Sequence, residues 1–313
     1  MDRIICVVGP TASGKTALAV ELAKFTKGEV VSCDSMQIYR RMDIGTAKPT
    51  IAEMEGIPHH MVGIAEPTEN WSVAKYVAEA DKRVQDILDR GKLPILVGGT
   101  GLYLDSLIRG IDFAAGEQGG ELRLKLQERL ANEGAEALLN ELRIIDSEAA
   151  GKLHLKDEKR IVRALEVYYE TGQTITEHNA ETKKHPPRYD ALYIGLDFED
   201  RDDLRARIDK RVEQMVELGL LEEVEALLAS DADRRATAWQ AIGYKQFLAV
   251  AEGKTSVEKA IEEVKLRSRQ YAKRQLTWLR RNENIFWIRW EKEPNFPAGL
   301  QKATEYLLQN GLR

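Results

Sequence analysis

Eight consecutive residues, Gly9, Pro10, Thr11, Ala12, Ser13, Gly14, Lys15 and Thr16, form the stretch GPTASGKT, whose chemistry can be read directly. Its glycines let the backbone curl so that successive N–H groups converge on an anion, Lys15 adds a point charge, and the Thr16 hydroxyl can reach a magnesium ion. A diphosphate is the smallest group that uses all of these donors. The apolar run Arg3–Val8 enters the turn and an alanine- and leucine-rich helical pattern leaves it, giving the strand, loop and helix context of a P-loop. A glycine-rich turn with no ligand is the competing reading, and the complete pattern in this context outweighs it.

Phosphoryl transfer would also require an acidic residue ending a second apolar strand, to hold the metal. Asp34 and Asp197 both end such runs. Asp34 is followed by Ser35, Met36, Gln37, Ile38 and Tyr39, a polar and aromatic cluster suited to hydrogen-bonding a flat ring. Its bland alternative is a helix N-cap. The turn GGTGLY, Gly98 to Tyr103, adds glycines for close approach and the Thr100 hydroxyl, though a helix cap explains it equally well in isolation. In an open α/β sheet the carboxyl ends of the strands converge on one crevice, which would bring Asp34 and this turn to the phosphate loop.

The elements that must position these groups follow from the apolar patterns. Glu29–Ser35, Lys92–Gly99, Ala191–Phe198 and Ile285–Trp290 read as short buried strands, and Val73–Asp89 as a crossover helix. The predicted fold is α/β, a P-loop NTPase-like parallel sheet flanked by helices and interrupted by an all-helical insertion. Residues 1–112 and 188–313 would form the core domain and residues 113–187 the insertion, bounded by the loops AAGEQGG and TKKHPPRYD. After Asp197 the chain reads as helical through Arg281, Arg207–Ala229 included.

With 313 residues and 43% hydrophobic content, the chain can bury a sizeable core. No apolar stretch is long enough for a bilayer span and the N-terminal run has no cleavage-site pattern, so a cytoplasmic protein without a membrane partner is expected. The two cysteines, Cys6 and Cys33, read as reduced core residues. The adjacent His59 and His60 lack a completing Cys or acidic cluster and read as structural, so zinc is not expected.

A net charge of −5 taken alone argues against a nucleic-acid partner, yet Lys265–Arg281, KLRSRQYAKRQLTWLRR, holds seven basic residues and no acidic one. Val264, Tyr271 and Trp278 form an apolar stripe on that helix, leaving its cations outward.

Together GPTASGKT, DSMQIYRRMDIGTAKP, GIPHHMV, LPILVGGTGLY, DEKRIVRALEVYYETG, QAIGYKQ and RSRQYAKRQLTWLRR resemble, in the same order, the tRNA dimethylallyltransferases, also called tRNA isopentenyltransferases. The resemblance covers nearly the whole chain. It implies transfer of a dimethylallyl group from dimethylallyl diphosphate to N6 of the adenosine 3′ of the anticodon, with magnesium present and diphosphate released. The anticodon stem-loop of tRNA would be the macromolecular partner, and a monomer the expected state.

By the same resemblance Asp34 matches the catalytic base and Thr100 a threonine contacting tRNA in the active site, while Ser35, Met36 and Gln37 match the segment that reads the target base. Arg269, Gln270, Tyr271, Ala272, Lys273 and Arg274 match one tRNA-contacting segment. Arg123, with Lys159, Arg160, Ile161, Val162 and Arg163, matches others; Lys159 stands where relatives often carry Gln. Lys245 matches the neighbourhood of a basic residue that approaches the diphosphate.

The chemistry is consistent with the residues, because an allylic diphosphate leaves more readily the better its departing charge is held. Two alternatives stay open on sequence grounds. One is an ATP-dependent small-molecule or nucleoside kinase using the same loop; the other is an RNA-binding module switched by nucleotide. The kinase does not explain two separate basic helices.

Overall fold

The structure, a computed structural model, describes residues 1–111, 120–230 and 236–312. Most of the loop AAGEQGG, and with it the expected boundary at residue 113, lies outside the described residues.

Chain order runs β1 (Asp2–Val8), α1 (Lys15–Thr26), β2 (Glu29–Ser32), α2 (Ile51–Met54), β3 (His59–His60), α3 (Val73–Asp89), β4 (Pro94–Gly98), α4 (Gly101–Arg109) and α5 (Glu121–Ile145). It continues through α6 (Ser147–Gly151), α7 (Glu158–Thr171), α8 (Ile175–Lys184), β5 (Tyr189–Phe198), α9 (Arg201–Glu217) and α10 (Leu220–Leu228). The remainder is α11 (Tyr244–Ala251), α12 (Val257–Leu279), β6 (Ile285–Trp290) and α13 (Phe296–Gln309).

Two compact units result, Met1–Ile108 with Arg188–Arg313, and Arg109–Pro187. The first is built on a six-stranded sheet in the order β3-β2-β4-β1-β5-β6, with every pairing parallel. Its central strands are continuous apolar runs because both faces are covered; Ile4 to Val8 are wholly buried. Cys6 and Cys33 are buried among them, and burial pushes the Cys33 thiol up to about 12. With β4 paired to β1, β2 to β4 and all of them parallel, the turns carrying Asp34 and Thr100 leave the sheet on the same edge as the phosphate loop.

His59 and His60 form an edge strand beside β2, with His60 Nε2 2.7 Å from the buried Glu29 carboxylate. The stretch Arg207–Ala229 is two helices, because Gly219 adopts a left-handed backbone (φ 97°) that ends one and starts the next.

The second unit is helical. Leu126, Leu138, Leu139 and Leu142 of α5 pack with Ile161, Val162 and Leu165 of α7 as a separate core. No helix among the described residues is long and apolar enough to cross a membrane.

Candidate active site

The Gly9–Thr16 loop leaves the middle of the sheet and closes where α1 begins. Gly14 occupies the N-cap with φ 87°, and Ala12 adopts φ 63° despite its Cβ, strain of the kind that concentrates at ligand-holding loops. Ser13 Oγ is buried with no hydrogen-bond partner among the described residues, an orphaned donor inside the curl. Lys15 Nζ donates to the Pro10 carbonyl at 2.6 Å. Burial, helped by the Arg211 charge, pushes the Lys15 ammonium down to about 7.

A cavity of about 790 Å³ opens against this loop, lined by residues 12–17, by Lys48, Thr50 and Glu53, and by Arg207, Lys210 and Arg211 of α9. Arg207 Nε donates to the Ala12 carbonyl at 3.3 Å, and Arg211 Nη2 to the Ala47 carbonyl at 3.4 Å. Lys15 and these three α9 cations face the cavity, and none is ion-paired with a carboxylate among the described residues. Unneutralised cations around an orphaned hydroxyl fit a polyanion. The α9 set was missed by sequence reading. Its signal was present as Arg207, Lys210 and Arg211, three and four apart on one helix face, inside a stretch read only as helical.

A second cavity of about 280 Å³ lies at Asp34, walled by Thr11, Ser35, Met36 and Gly45–Ala47, by Ile208, Val212 and Met215 of α9, and by Val264, Tyr271 and Arg274 of α12. Ala47, Arg211 and Met215 line both cavities, so the two meet there. Asp34 Oδ1 accepts hydrogen bonds from Met36 N at 2.8 Å and Gln37 N at 3.3 Å, so it closes a turn, with no helix following, and is also a cavity carboxylate. Its other oxygen takes no hydrogen bond among the described residues. Burial and the Asp34 charge raise the Tyr271 phenol above its usual range.

Several expected site residues sit elsewhere. Thr100 Oγ1 accepts from Ser35 N at 3.4 Å, but Thr100 belongs to neither lining. The Gln37 amide is engaged within the protein, Nε2 donating to the Ala47 carbonyl at 3.1 Å and Oε1 accepting from Ser32 Oγ at 3.1 Å. On α12, Gln270, Lys273 and Arg274 are exposed, Arg269 pairs with Asp209 at 2.7 Å, and Ala272 is buried, so its side chain is core and not a contact surface. Lys245 is exposed and absent from both linings, because α11 turns Tyr244 and Phe247 inward. The cavity cations on α9 stand in the place Lys245 was expected to fill. Asp197, the other acidic candidate, pairs with Arg280 at 3.0 Å and also lies outside both linings. Gln275 is a buried residue that sequence reading passed over; its Oε1 accepts from Thr11 N at 2.9 Å, tying the phosphate loop to α12.

Within the helical unit, Arg123 Nε and Arg163 Nη1 donate to the buried Glu166 carboxylate at 2.7 and 2.6 Å. Burial alone would raise that carboxyl, and the two guanidiniums outweigh it and hold it low. Lys159 and Arg160 are exposed on α7, whereas Ile161 and Val162 are core, so their side chains offer nothing to a ligand.

Among the described residues no group of three or more His, Cys, Asp or Glu could hold a metal ion. Thr16, which lines the larger cavity, is the residue that would hold a magnesium ion beside a bound anion, where the ion would neutralise anionic charge.

Fold and site together define an α/β protein with a P-loop-like fold, in which a cation-lined cavity meets a partly apolar chamber containing a carboxylate. The family described as IPP transferase matches residues 37–282, and the one described as isopentenyl transferase matches residues 2–63. Over 312 residues the chain is 44% identical to the tRNA dimethylallyltransferase of Acetivibrio thermocellus, covering 100% of this chain and 99% of that one. It is also similar to the crystal structure of the tRNA delta(2)-isopentenylpyrophosphate transferase of Staphylococcus epidermidis, with 40% identity, a TM-score of 0.73, and 99% and 100% of the two chains covered. A eukaryotic dimethylallyltransferase captured acting on tRNA gives a TM-score of 0.84 at 30% identity, covering 99% of this chain and 80% of that one. The chain belongs to the tRNA dimethylallyltransferase family. That membership disfavours the kinase reading.

Proposed function

We propose that this protein transfers the dimethylallyl group of dimethylallyl diphosphate to N6 of the adenosine 3′ of the anticodon in tRNA. The observation that carries the reading is the meeting of the two cavities at Arg211, with unpaired cations on one side and the Asp34 carboxylate on the other. In the step, the bond between the allylic carbon and the diphosphate oxygen breaks, a bond from N6 to that carbon forms, and the N6 proton passes to the free oxygen of Asp34. The loop amides, Lys15, Arg207, Lys210 and Arg211 hold the leaving diphosphate, whose growing charge they stabilise more than the ground state. Magnesium, held by Thr16 and the diphosphate, would supply further charge neutralisation. Asp34 is oriented by its own two backbone hydrogen bonds, which leave one oxygen for the incoming amine.

The target base must leave the anticodon stack to enter the smaller cavity. Arg274 and Tyr271, stacked with the guanidinium 5.7 Å from the ring, offer a surface for it at the cavity wall. Exposed Lys273 on α12, and Arg123, Lys159, Arg160 and Arg163 on the helical unit, would contact phosphates of the stem-loop. In this reading the protein acts in the cytoplasm, where tRNA is available.

Incubation with magnesium, unmodified tRNA and labelled dimethylallyl diphosphate, followed by nucleoside digestion, tests the reading. Label on N6 of adenosine is expected, with no label transferred from γ-labelled ATP in a parallel tube. Phosphate moving from ATP to a small acceptor without prenyl transfer would restore the kinase.

A further inference from the structure

The wall between the two cavities is the segment Asp43–Ala47, a turn closed by Ala47 N to the Ile44 carbonyl and Lys48 N to the Asp43 carbonyl, each at 2.9 Å. Ala47 adopts φ 46°, a left-handed backbone that its Cβ disfavours, so neighbouring groups must hold it there. A carboxylate does so from α10. Glu223 Oε2 accepts from Asp43 N at 2.8 Å and Ile44 N at 2.9 Å, and Oε1 accepts from Gly45 N at 3.1 Å. Three consecutive amides thus close on one side chain, as they would on a bound anion.

Tyr244 completes the clamp by donating its hydroxyl to Glu223 Oε1 at 2.5 Å. Its ring presses the segment from beside Gly45, where any Cβ would lie 2.5 Å from the ring, so only glycine fits. Burial and the Glu223 charge raise the Tyr244 phenol, which keeps it a donor. Beyond the clamp the segment does two things for the site. Gly45, Thr46 and Ala47 face the Asp34 cavity, and the Ala47 carbonyl receives Arg211, the cation common to both cavities.

We propose that Glu223 and Tyr244 are positioning residues that hold the Gly45–Ala47 wall against the transferring group and so set both the placement and the length of the prenyl donor the enzyme accepts. Neither touches the reacting atoms; they act through the wall. The inference rests on the transfer reading above. With the wall held, the cavity admits a short allylic tail and Arg211 keeps its place at the diphosphate end. With the wall released, Arg211 loses its carbonyl partner and the chamber lengthens toward α10 and α11.

The test compares the wild-type chain with Glu223→Gln and Tyr244→Phe, using unmodified tRNA and two donors, dimethylallyl diphosphate and its ten-carbon homologue geranyl diphosphate. For Glu223→Gln the KM for dimethylallyl diphosphate should rise roughly tenfold while kcat falls less, and the preference for the five-carbon over the ten-carbon donor should shrink roughly fivefold. Tyr244→Phe should move both quantities the same way by a smaller factor, with tRNA affinity in both variants unchanged. A merely structural role would lower activity with the two donors in parallel and leave their ratio alone. Unchanged KM and unchanged donor ratio in folded Glu223→Gln would overturn the proposal, as would a parallel loss with both donors. If Glu223→Gln does not fold, Tyr244→Phe decides by the same donor ratio, since it removes one hydroxyl and keeps the carboxylate. Absence of dimethylallyl transfer by the wild-type chain would instead remove the reading on which the inference rests.

Discussion

The phosphate-loop cleft of the α/β unit and the Glu166 cluster of the helical unit treat their cations in opposite ways. Around the phosphate loop, Lys15, Arg207, Lys210 and Arg211 face a cavity without a carboxylate partner among the described residues. In the helical unit Arg123 and Arg163 are tied to one buried carboxylate, Glu166. The first arrangement is costly until an anion arrives and therefore suits a small, highly charged ligand that brings its own compensation. The second is already compensated, so it serves to hold two guanidiniums in a fixed orientation, with net charge left over for a phosphate ridge. The phosphate-loop cleft stores unmet charge, whereas the Glu166 cluster arranges charge that is mostly met.

The largest test of this contrast is Asp34→Asn, which keeps an oxygen for the two turn hydrogen bonds but cannot take a proton. Turnover should fall by roughly 100-fold or more with tRNA affinity unchanged, and normal turnover would remove Asp34 as the base. Next, Arg211→Gln should raise the KM for the prenyl donor by roughly 30-fold, because the residue serves both cavities, while Lys245→Ala should change it less than about twofold. Equal effects in the two variants would show that the α9 set does not hold the diphosphate.

A pH titration sharpens the same point. In the free cleft burial and Arg211 lower Lys15 to about 7. A bound diphosphate favours the charged form, so binding takes up a proton above that pH. Donor affinity should be level below pH 7 and weaken by about tenfold per unit above it. The Lys15→Arg chain, charged throughout, should lack that component; identical pH profiles in the two would refute it. The smallest effect is expected from Glu166→Gln, which should weaken tRNA binding by roughly fivefold and leave the donor KM untouched. Its acid counterpart has a defined sign. Because the Glu166 carboxyl is held below its ordinary range, it stabilises the folded unit above the ordinary glutamate pKa, and that contribution is lost as pH falls through the lowered value.

Much of this was legible without coordinates where the signal is local. The phosphate loop, its flanking strand and helix, and the strand from Tyr189 to Phe198 rest on contiguous residues whose periodicity reports burial directly. The two-residue strand His59–His60 was not, since it is too short to show alternation and exists only by pairing with Val30 and Val31. Equally hidden was the burial of Ile161, Val162 and Ala272, which share segments with exposed cations but fall on the opposite phase of their helices.

Sequence by itself determined that this chain carries the loop pattern of an anion site and that a carboxylate follows a second strand, because eight adjacent residues carry the whole pattern. Which cations complete that site was decided only by tertiary structure. Arg207 meets Ala12 across 195 residues of chain, and Glu223 meets Asp43 across 180. Helix phase and packing, not proximity in sequence, chose Arg211 over Lys245, since one faces the cleft from α9 while the other is turned to solvent by the buried side of α11.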